Sequence, residues 1–159
     1  MNVRPYESTD LPDVMETYTA SIRSLAAAYY SPEQLVAWAP VPPDAVRWQE
    51  RLERLHTIVA ESDGACAGFA SYTIEGYLDF LFTHPAFARR GVASRLYQRV
   101  ESVLRAVGVP SVTAHVSLAA RAFFDHHGFL LDREECVECR GAWLRRFAMR
   151  KPLRNERCV

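Results

Sequence analysis

The stretch Tyr77-Leu78-Asp79-Phe80-Leu81-Phe82-Thr83-His84-Pro85-Ala86-Phe87-Ala88-Arg89-Arg90-Gly91-Val92-Ala93-Ser94-Arg95-Leu96 decides how the rest of the chain is read. Its first seven residues, rich in aromatic and aliphatic side chains, predict a strand from Tyr77 to Thr83, and Pro85 ends it. After Gly91 the apolar period lengthens. Val92, Leu96, Val100, Val103, Leu104 and Val107 share one face of a predicted helix that Gly108-Val109-Pro110 closes. A strand that turns tightly into a helix leaves several N–H groups without an intrahelical partner, at the positive end of the helix dipole. Such a corner suits a diphosphate. Gly91 lets the backbone come close, and Arg89 and Arg90 add charge at the mouth.

Two familiar phosphate loops do not fit. A P-loop needs Lys followed by Ser or Thr after its glycines, and this segment has neither; the dinucleotide fingerprint needs three glycines, and only Gly91 is present.

Working outward, Val3 to Tyr6 predicts a first strand, and Ser8, Thr9 and Asp10 offer N-cap oxygens for a helix running to about Ala28. Ser31 before Pro32 marks a second, short helix that must end before Pro40, Pro42 and Pro43. Asp44 to Leu55 predicts a third. The segments 57–61 and 65–72 read as strands around the hairpin signal Ser62-Asp63-Gly64, and with 77–83 they form an antiparallel meander. Beyond the long helix come a buried strand at 112–116, a helix at 119–127 stopped by Gly128, and strands at 129–139 and 143–151. The order is β-α-α-α-β-β-β-α-β-α-β-β. Its central strand–helix–strand unit implies one parallel pair inside a mixed, mostly antiparallel α+β sheet of six or seven strands.

At 159 residues the chain suits one domain, expected at 1–153 with a tail at 154–159. Lys+Arg and Asp+Glu balance at 19 each, which argues against nucleic acid as partner, because phosphate-backbone binding rests on excess positive charge. No apolar run approaches the roughly 20 residues needed to span a bilayer, so no membrane partner is expected. Met1 to Pro5 lacks the apolar core of a signal peptide, and the expected location is the cytoplasm. Cys136 and Cys139 have metal-ligand spacing, but no second pair or nearby histidines complete a site, so no metal is expected.

In combination these features resemble the GNAT superfamily of acetyl-CoA-dependent N-acyltransferases along nearly the whole chain. Ala88-Arg89-Arg90-Gly91-Val92-Ala93 is similar to the family's diphosphate loop, Arg/Gln-x-x-Gly-x-Gly/Ala, although Ala88 stands where Arg or Gln is usual. Leu81-Phe82-Thr83-His84-Pro85 resembles the family's strand end. Ser117-x-x-Ala120-x-x-Phe123-Phe124-x-x-x-Gly128-Phe129 resembles its Asn/Ser-x-x-Ala-x-x-Phe-Tyr-x-x-x-Gly-Phe segment. The aromatic run after the first helix is similar to that of a bacterial subgroup.

The resemblance implies a V-shaped split between strands 77–83 and 112–116, with acetyl-CoA as co-substrate. Backbone groups of Leu81, Phe82 and Thr83 would pair with the pantetheine amides as an added strand, and N–H groups from Arg89 to Ser94, including Val92 and Ala93, would hold the diphosphate. The implied reaction is direct transfer of the acetyl group to a primary amine of a small molecule. A non-catalytic acyl-CoA sensor and a protein N-acetyltransferase stand as alternatives. The family's usual Tyr acid is absent because Phe124 occupies its position; Phe124 is expected to pack against the cofactor, and Ser117 or water could protonate the thiolate. Asp79 is the first candidate base, with a structural carboxylate bonded to backbone or to an Arg as its competitor; Tyr77, on the same face, would orient the acceptor. His115 reads as a core histidine. Tyr29, Tyr30 and Trp38 are the expected acceptor pocket, or else pack their loop onto the core. Homodimers are common in the superfamily, and the apolar C-terminal strands could supply an interface.

Overall fold

A computed structural model describes residues 1–154; the expected tail at 154–159 and Cys158 fall almost wholly outside the described residues. The elements are β1 (Asn2–Pro5), α1 (Leu11–Leu25), α2 (Pro32–Trp38), α3 (Ala45–Arg54), β2 (His56–Ser62), β3 (Ala65–Tyr72), β4 (Tyr77–Thr83), α4 (Val92–Val107), β5 (Ser111–Ser117), α5 (Arg121–His126), β6 (Leu130–Cys139) and β7 (Ala142–Pro152). Their order is the expected one, and strand β4 has the expected bounds. Helix α1 stops three residues early. The predicted cap works one turn upstream, where Asp10 Oδ2 accepts from Glu7 N–H (2.8 Å) while Arg4 grips both Asp10 oxygens. Ser31 and Gln34 form a reciprocal capping box for α2, with Pro32 in its first turn.

The seven strands form one sheet in the order β1-β2-β3-β4-β5-β7-β6. All neighbours are antiparallel except β4 and β5, the crossover pair joined through α4. That pair is short. Tyr77 faces Thr113 and Leu78 faces Ala114, and the pairing ends there. One strand away, Tyr72 faces Leu78 but Ser71 faces Phe80, so Asp79 is the extra residue of a β-bulge. A bulge bends its strand and increases its twist. Strand β4 therefore leans away from β5, and the sheet divides into β1–β4 and β5–β7.

Helices cover both faces. Leu96, Tyr97, Val100 and Leu104 of α4 are fully buried against β3, β4 and β5, and each aliphatic side chain contributes roughly 1.5–3 kcal/mol. On the other face α1 and α3 bury Val14 and Leu52 against Val59, Phe69 and Phe80. Ile22 of α1, Tyr30, and Leu35 of α2 pack on Leu144 of β7. Tyr30 ties this helical layer to the β5–β7 half: its Oη donates to Arg145 O (2.7 Å) and accepts from Leu118 N–H (2.9 Å).

One glycine sets how closely α4 approaches the sheet. A Cβ on Gly68 of β3 would lie 2.7 Å from Phe82 O and 2.8 Å from Val92 Cγ1. The first of these is backbone and cannot rotate away. Gly68→Ala should therefore lower stability by about 1–3 kcal/mol through overpacking, measured by urea denaturation, and should loosen the seat of the α4 N-terminus.

Candidate active site

Where β4 leaves β5 a cleft of about 520 Å³ opens through the sheet. One wall is β4, including Asp79, Leu81, Phe82 and Thr83; the other is β5 from Ala114 to Ser117. The loop before α4 and the first turn of that helix, with Arg89, Gly91, Val92, Ala93 and Ser94, close one end. Phe123 and Phe124 of α5 form part of the floor. The separation of the strands leaves their facing edges without a partner strand, which is the feature an extended ligand can use.

The corner at the α4 N-terminus is built by two residues in left-handed conformation, Arg89 (φ 62°) and Gly91 (φ 78°). For Gly91 the requirement is conformational, since a Cβ there would meet nothing within 4 Å. Arg89 holds this conformation with a side chain, at a cost of order 1 kcal/mol, the kind of strain that collects at functional loops. The helix hydrogen bonds begin with Arg95 N–H to Gly91 O (3.1 Å). The N–H groups of Val92, Ala93 and Ser94 thus have no main-chain acceptor among the described residues, and the three residues line the cleft at the positive end of the helix dipole. His84 caps the preceding turn, its Nδ1 accepting from Ala86 N–H (3.1 Å). His127 Nε2 lies 3.2 Å from Ser94 Oγ and tilts against Phe123, tying α5 to the same corner.

Asp79 reaches the cleft, but its carboxylate is committed. Arg51 of α3 donates from Nε to Oδ2 (3.0 Å) and from Nη2 to Oδ1 (2.8 Å), and its guanidinium lies 4.3 Å over the Phe80 ring. The competing expectation, a carboxylate paired to Arg, is what the geometry shows.

Tyr77 sits at the closed end of the split, and its Oη is 2.8 Å from His115 Nδ1. His115 is not a core residue. Its neighbours Ala114 and Val116 point into the α4 core, so strand alternation turns His115 to the opposite face, where it lines the cleft. Its Nε2 is 3.4 Å from Glu135 Oε1 of β6, which also accepts from Arg146 Nε (2.7 Å). Burial pushes the Tyr77 phenol up, so it keeps its proton and donates to Nδ1. Burial, and then the charge of Arg146, push His115 below its ordinary value; it is neutral near pH 7, with its proton on Nε2 toward Glu135. Burial opposes ionisation of Glu135, but Arg146 outweighs it and holds the carboxyl below the ordinary range. Sequence reasoning missed this Tyr–His–Glu line. The alternation of 112–116 was the available signal, and the partner on β6 lies 20 residues from His115.

Other expected site residues are placed as follows. Ser117 lines the cleft, its Oγ accepting from Ala120 N–H (3.2 Å). Phe124 is buried against Phe123 and Phe129 and presents one side to the cleft. Arg90 is exposed, 5.7 Å over Phe87, at the outer side of the corner. Trp38 reaches the cleft, whereas Tyr29 is an exposed side chain and Tyr30 is a buried structural bridge packed edge-on against Trp38. Cys139 donates weakly to Ala37 O and Cys136 is exposed; among the described residues no group of three or more His, Cys, Asp or Glu could hold a metal ion. No helix of the described chain is long and apolar enough to cross a membrane.

Comparison with known proteins gives the same reading. The family model described as "Acetyltransferase (GNAT) domain" matches residues 26–153. The N-acetyltransferase YafP of Escherichia coli (strain K12) is 36% identical over 153 residues, covering 94% of this chain and 95% of that one. A GCN5-related N-acetyltransferase from Rhodopseudomonas palustris superposes with a TM-score of 0.92 at 32% identity, covering 96% of this chain and 95% of the other. The acetyltransferase yncA of Salmonella typhimurium, solved with acetyl-CoA, shares the fold at 20% identity, with a TM-score of 0.70 over 100% of this chain and 97% of that one. The open strand edges and the orphan N–H groups fit the pantetheine and diphosphate of that co-substrate. The chain belongs to the GNAT acetyltransferase family and is an acyltransferase that uses acetyl-CoA.

Proposed function

We propose that the chain transfers the acetyl group directly to a primary amine of a small molecule, in the cytoplasm, with Tyr77 and His115 handling the amine proton. The observation that carries this is the position of the Tyr77–His115–Glu135 line at the closed end of the split, beside the strand edges that would seat the thioester. Acetyl-CoA supplies an acyl group on a thiol leaving group. The protein would hold it through Leu81, Phe82 and Thr83 along the arm and through the N–H groups from Arg89 to Ser94 at the diphosphate. A main-chain N–H of β4 would polarise the carbonyl as the amine attacks.

The amine must lose a proton. It passes to Tyr77 Oη as the phenol gives its own proton to His115 Nδ1, and the imidazolium that forms faces Glu135. With Phe124 where an acid is usual in the family, the thiolate leaves unaided or takes a proton from Ser117 or water; a thiol with a pKa near 8.5 permits this. Asp79, held by Arg51, orients the incoming ammonium, which gives one proton to solvent to become the attacking amine; the second proton is the one that leaves through Tyr77. The free thiols Cys66, Cys136 and Cys139 support a reducing compartment. Exposed Leu130, Leu131 and Trp143 on the outer strands support self-association.

The test of the reaction is acceptor-dependent thiol release from acetyl-CoA across a panel of small amines; release only with peptide or protein amines would favour the protein-modifying alternative. Two variants test the parts. Gly91→Glu puts a charge and a strained side chain into the corner and should weaken acetyl-CoA binding at least about ten-fold, while Gly91→Asn, which tolerates the left-handed conformation, should bind nearly as wild type. For the proton path, His115 must be neutral to accept. Its value is lowered, so activity is present above that value and lost as pH falls through it, at a midpoint below the ordinary histidine range. His115→Gln should remove that acid limb and lower kcat about 100-fold, with the KM for acetyl-CoA unchanged; an unaltered pH–rate profile would exclude the path.

A further inference from the structure

Beside the cleft, on the face covered by α1 and α3, lies a second concavity of about 360 Å³. Its floor is aromatic: Trp48 stacks on Phe80 (5.1 Å), and Tyr18 meets both edge-on. Its rim is basic. Arg47, Arg51 and Arg54 of α3 and Arg140 from the β6–β7 turn all line it. Arg51 is paired with Asp79, but among the described residues no carboxylate engages Arg47, Arg54 or Arg140. Two acids share the rim. Asp44 is occupied in capping α3, where its Oδ1 accepts from Arg47 N–H (3.2 Å), and Glu50 has no hydrogen-bond partner among the described residues.

Positive charge prevails on this rim. The whole chain carries no formal net charge, yet four guanidinium groups converge here. Arg47, Arg51 and Arg54 follow one another at four- and three-residue steps, with Glu50 the one acid of the helix that shares their rim. A planar guanidinium is the group best matched to carboxylate, phosphonate or phosphate oxygens.

The two concavities meet. Trp38 lines both, and the Arg51–Asp79 pair spans them, with Asp79 facing the cleft and Arg51 facing the basic pocket. We infer that the basic pocket is the acceptor site and that the acceptor is a small amine carrying an anionic group, a carboxylate, phosphonate or phosphate, on an apolar or flat body. Its ammonium lies toward Asp79 and the split, its body lies over Trp48, and its anion lies among Arg47, Arg54 and Arg140. This rests on the acetyl-transfer reading above and adds the substrate class. An amine without an anionic group leaves Arg47 and Arg54 without an anion, and Arg140, whose Nη1 donates to Ala37 O (2.8 Å), without a carboxylate; a polyamine meets four guanidinium groups against the two acids Asp44 and Glu50.

The test uses the full chain saturated with CoA and follows its melting temperature against phenylphosphonate, which carries the flat body and the anion, and against benzylamine, which carries the body and a cation. A saturable rise with phenylphosphonate and none with benzylamine is expected. Arg47→Ala and Arg54→Ala should each weaken phenylphosphonate about ten-fold, the effect of one lost charge-assisted hydrogen bond, while the rise caused by CoA itself stays at the wild-type value. A saturable response to benzylamine alone, no saturable response to phenylphosphonate, or a response that survives in the Arg47→Ala/Arg54→Ala double variant overturns the assignment. Absence of any rise with CoA is a different failure and removes the acetyl-transfer reading itself. With turnover, 4-(aminomethyl)benzoate, whose ammonium and anion stand at opposite ends of a flat body, should exceed benzylamine in kcat/KM at least ten-fold; equal rates, or rates confined to peptides, contradict the inference.

Discussion

Strands β4 and β5 can hydrogen-bond over only two residue pairs, because the bulge at Asp79 bends β4 out of the plane that β5 continues. Everything functional in the molecule is arranged around that interruption. On one side β3 holds β4 through five register pairs, and on the other β7 holds β5 through seven, so each strand is rigid while their facing edges stay open. Helix α4 covers one end of the opening because Gly68 lets it sit directly on β3. Tyr30 bridges the other side, bonding Leu118 after β5 and Arg145 on β7. The split is therefore a built opening with fixed walls, a geometry that needs little reorganisation to accept an extended ligand.

The same bulge distributes the side chains. Without it, Leu78 and Phe80 would lie on one face; with it, Leu78 enters the α4 core and Phe80 enters the α1–α3 core. Asp79 can then meet Arg51 while Tyr77 meets His115. Two polar lines thus reach the closed end of the split from different directions. One ends in Glu135 and Arg146 on the outer sheet, and the other ends in the arginine-lined pocket of α3. Their contributions to stability are small, since the groups are partly exposed and screened; their value lies in position.

The sequence was most legible where local chemistry leaves marks. The element order, the bounds of β4, the cap at Ser31, and the glycine at the α4 entry can all be read from propensity and turn residues, and the family resemblance directs attention to the segment from Leu81 to Phe124. What could not be read depends on distance along the chain. Arg51 and Asp79 are 28 residues apart, and Tyr77 and His115 are 38 apart. Nothing local announces either pair. His115 reads as a core residue because segment 112–116 reads as a buried strand; that strand is buried on one side only, and alternation alone does not say which side holds the helix. The aromatic segment at 29–38 was legible as aromatic, but its residues divide between a structural bridge, an exposed ring and a lining residue according to tertiary contacts.

The central claim is that the interrupted β4 edge and the α4 corner together receive the co-substrate. Amide hydrogen exchange on the full chain, with and without saturating acetyl-CoA, tests it most directly, because it reads the main-chain N–H groups themselves. The account predicts slower exchange within Asp79 to Thr83 and from Arg89 to Ser94, with strands β1 and β2 unchanged. Stabilisation of the protein by acetyl-CoA with no added protection in those two segments would contradict it.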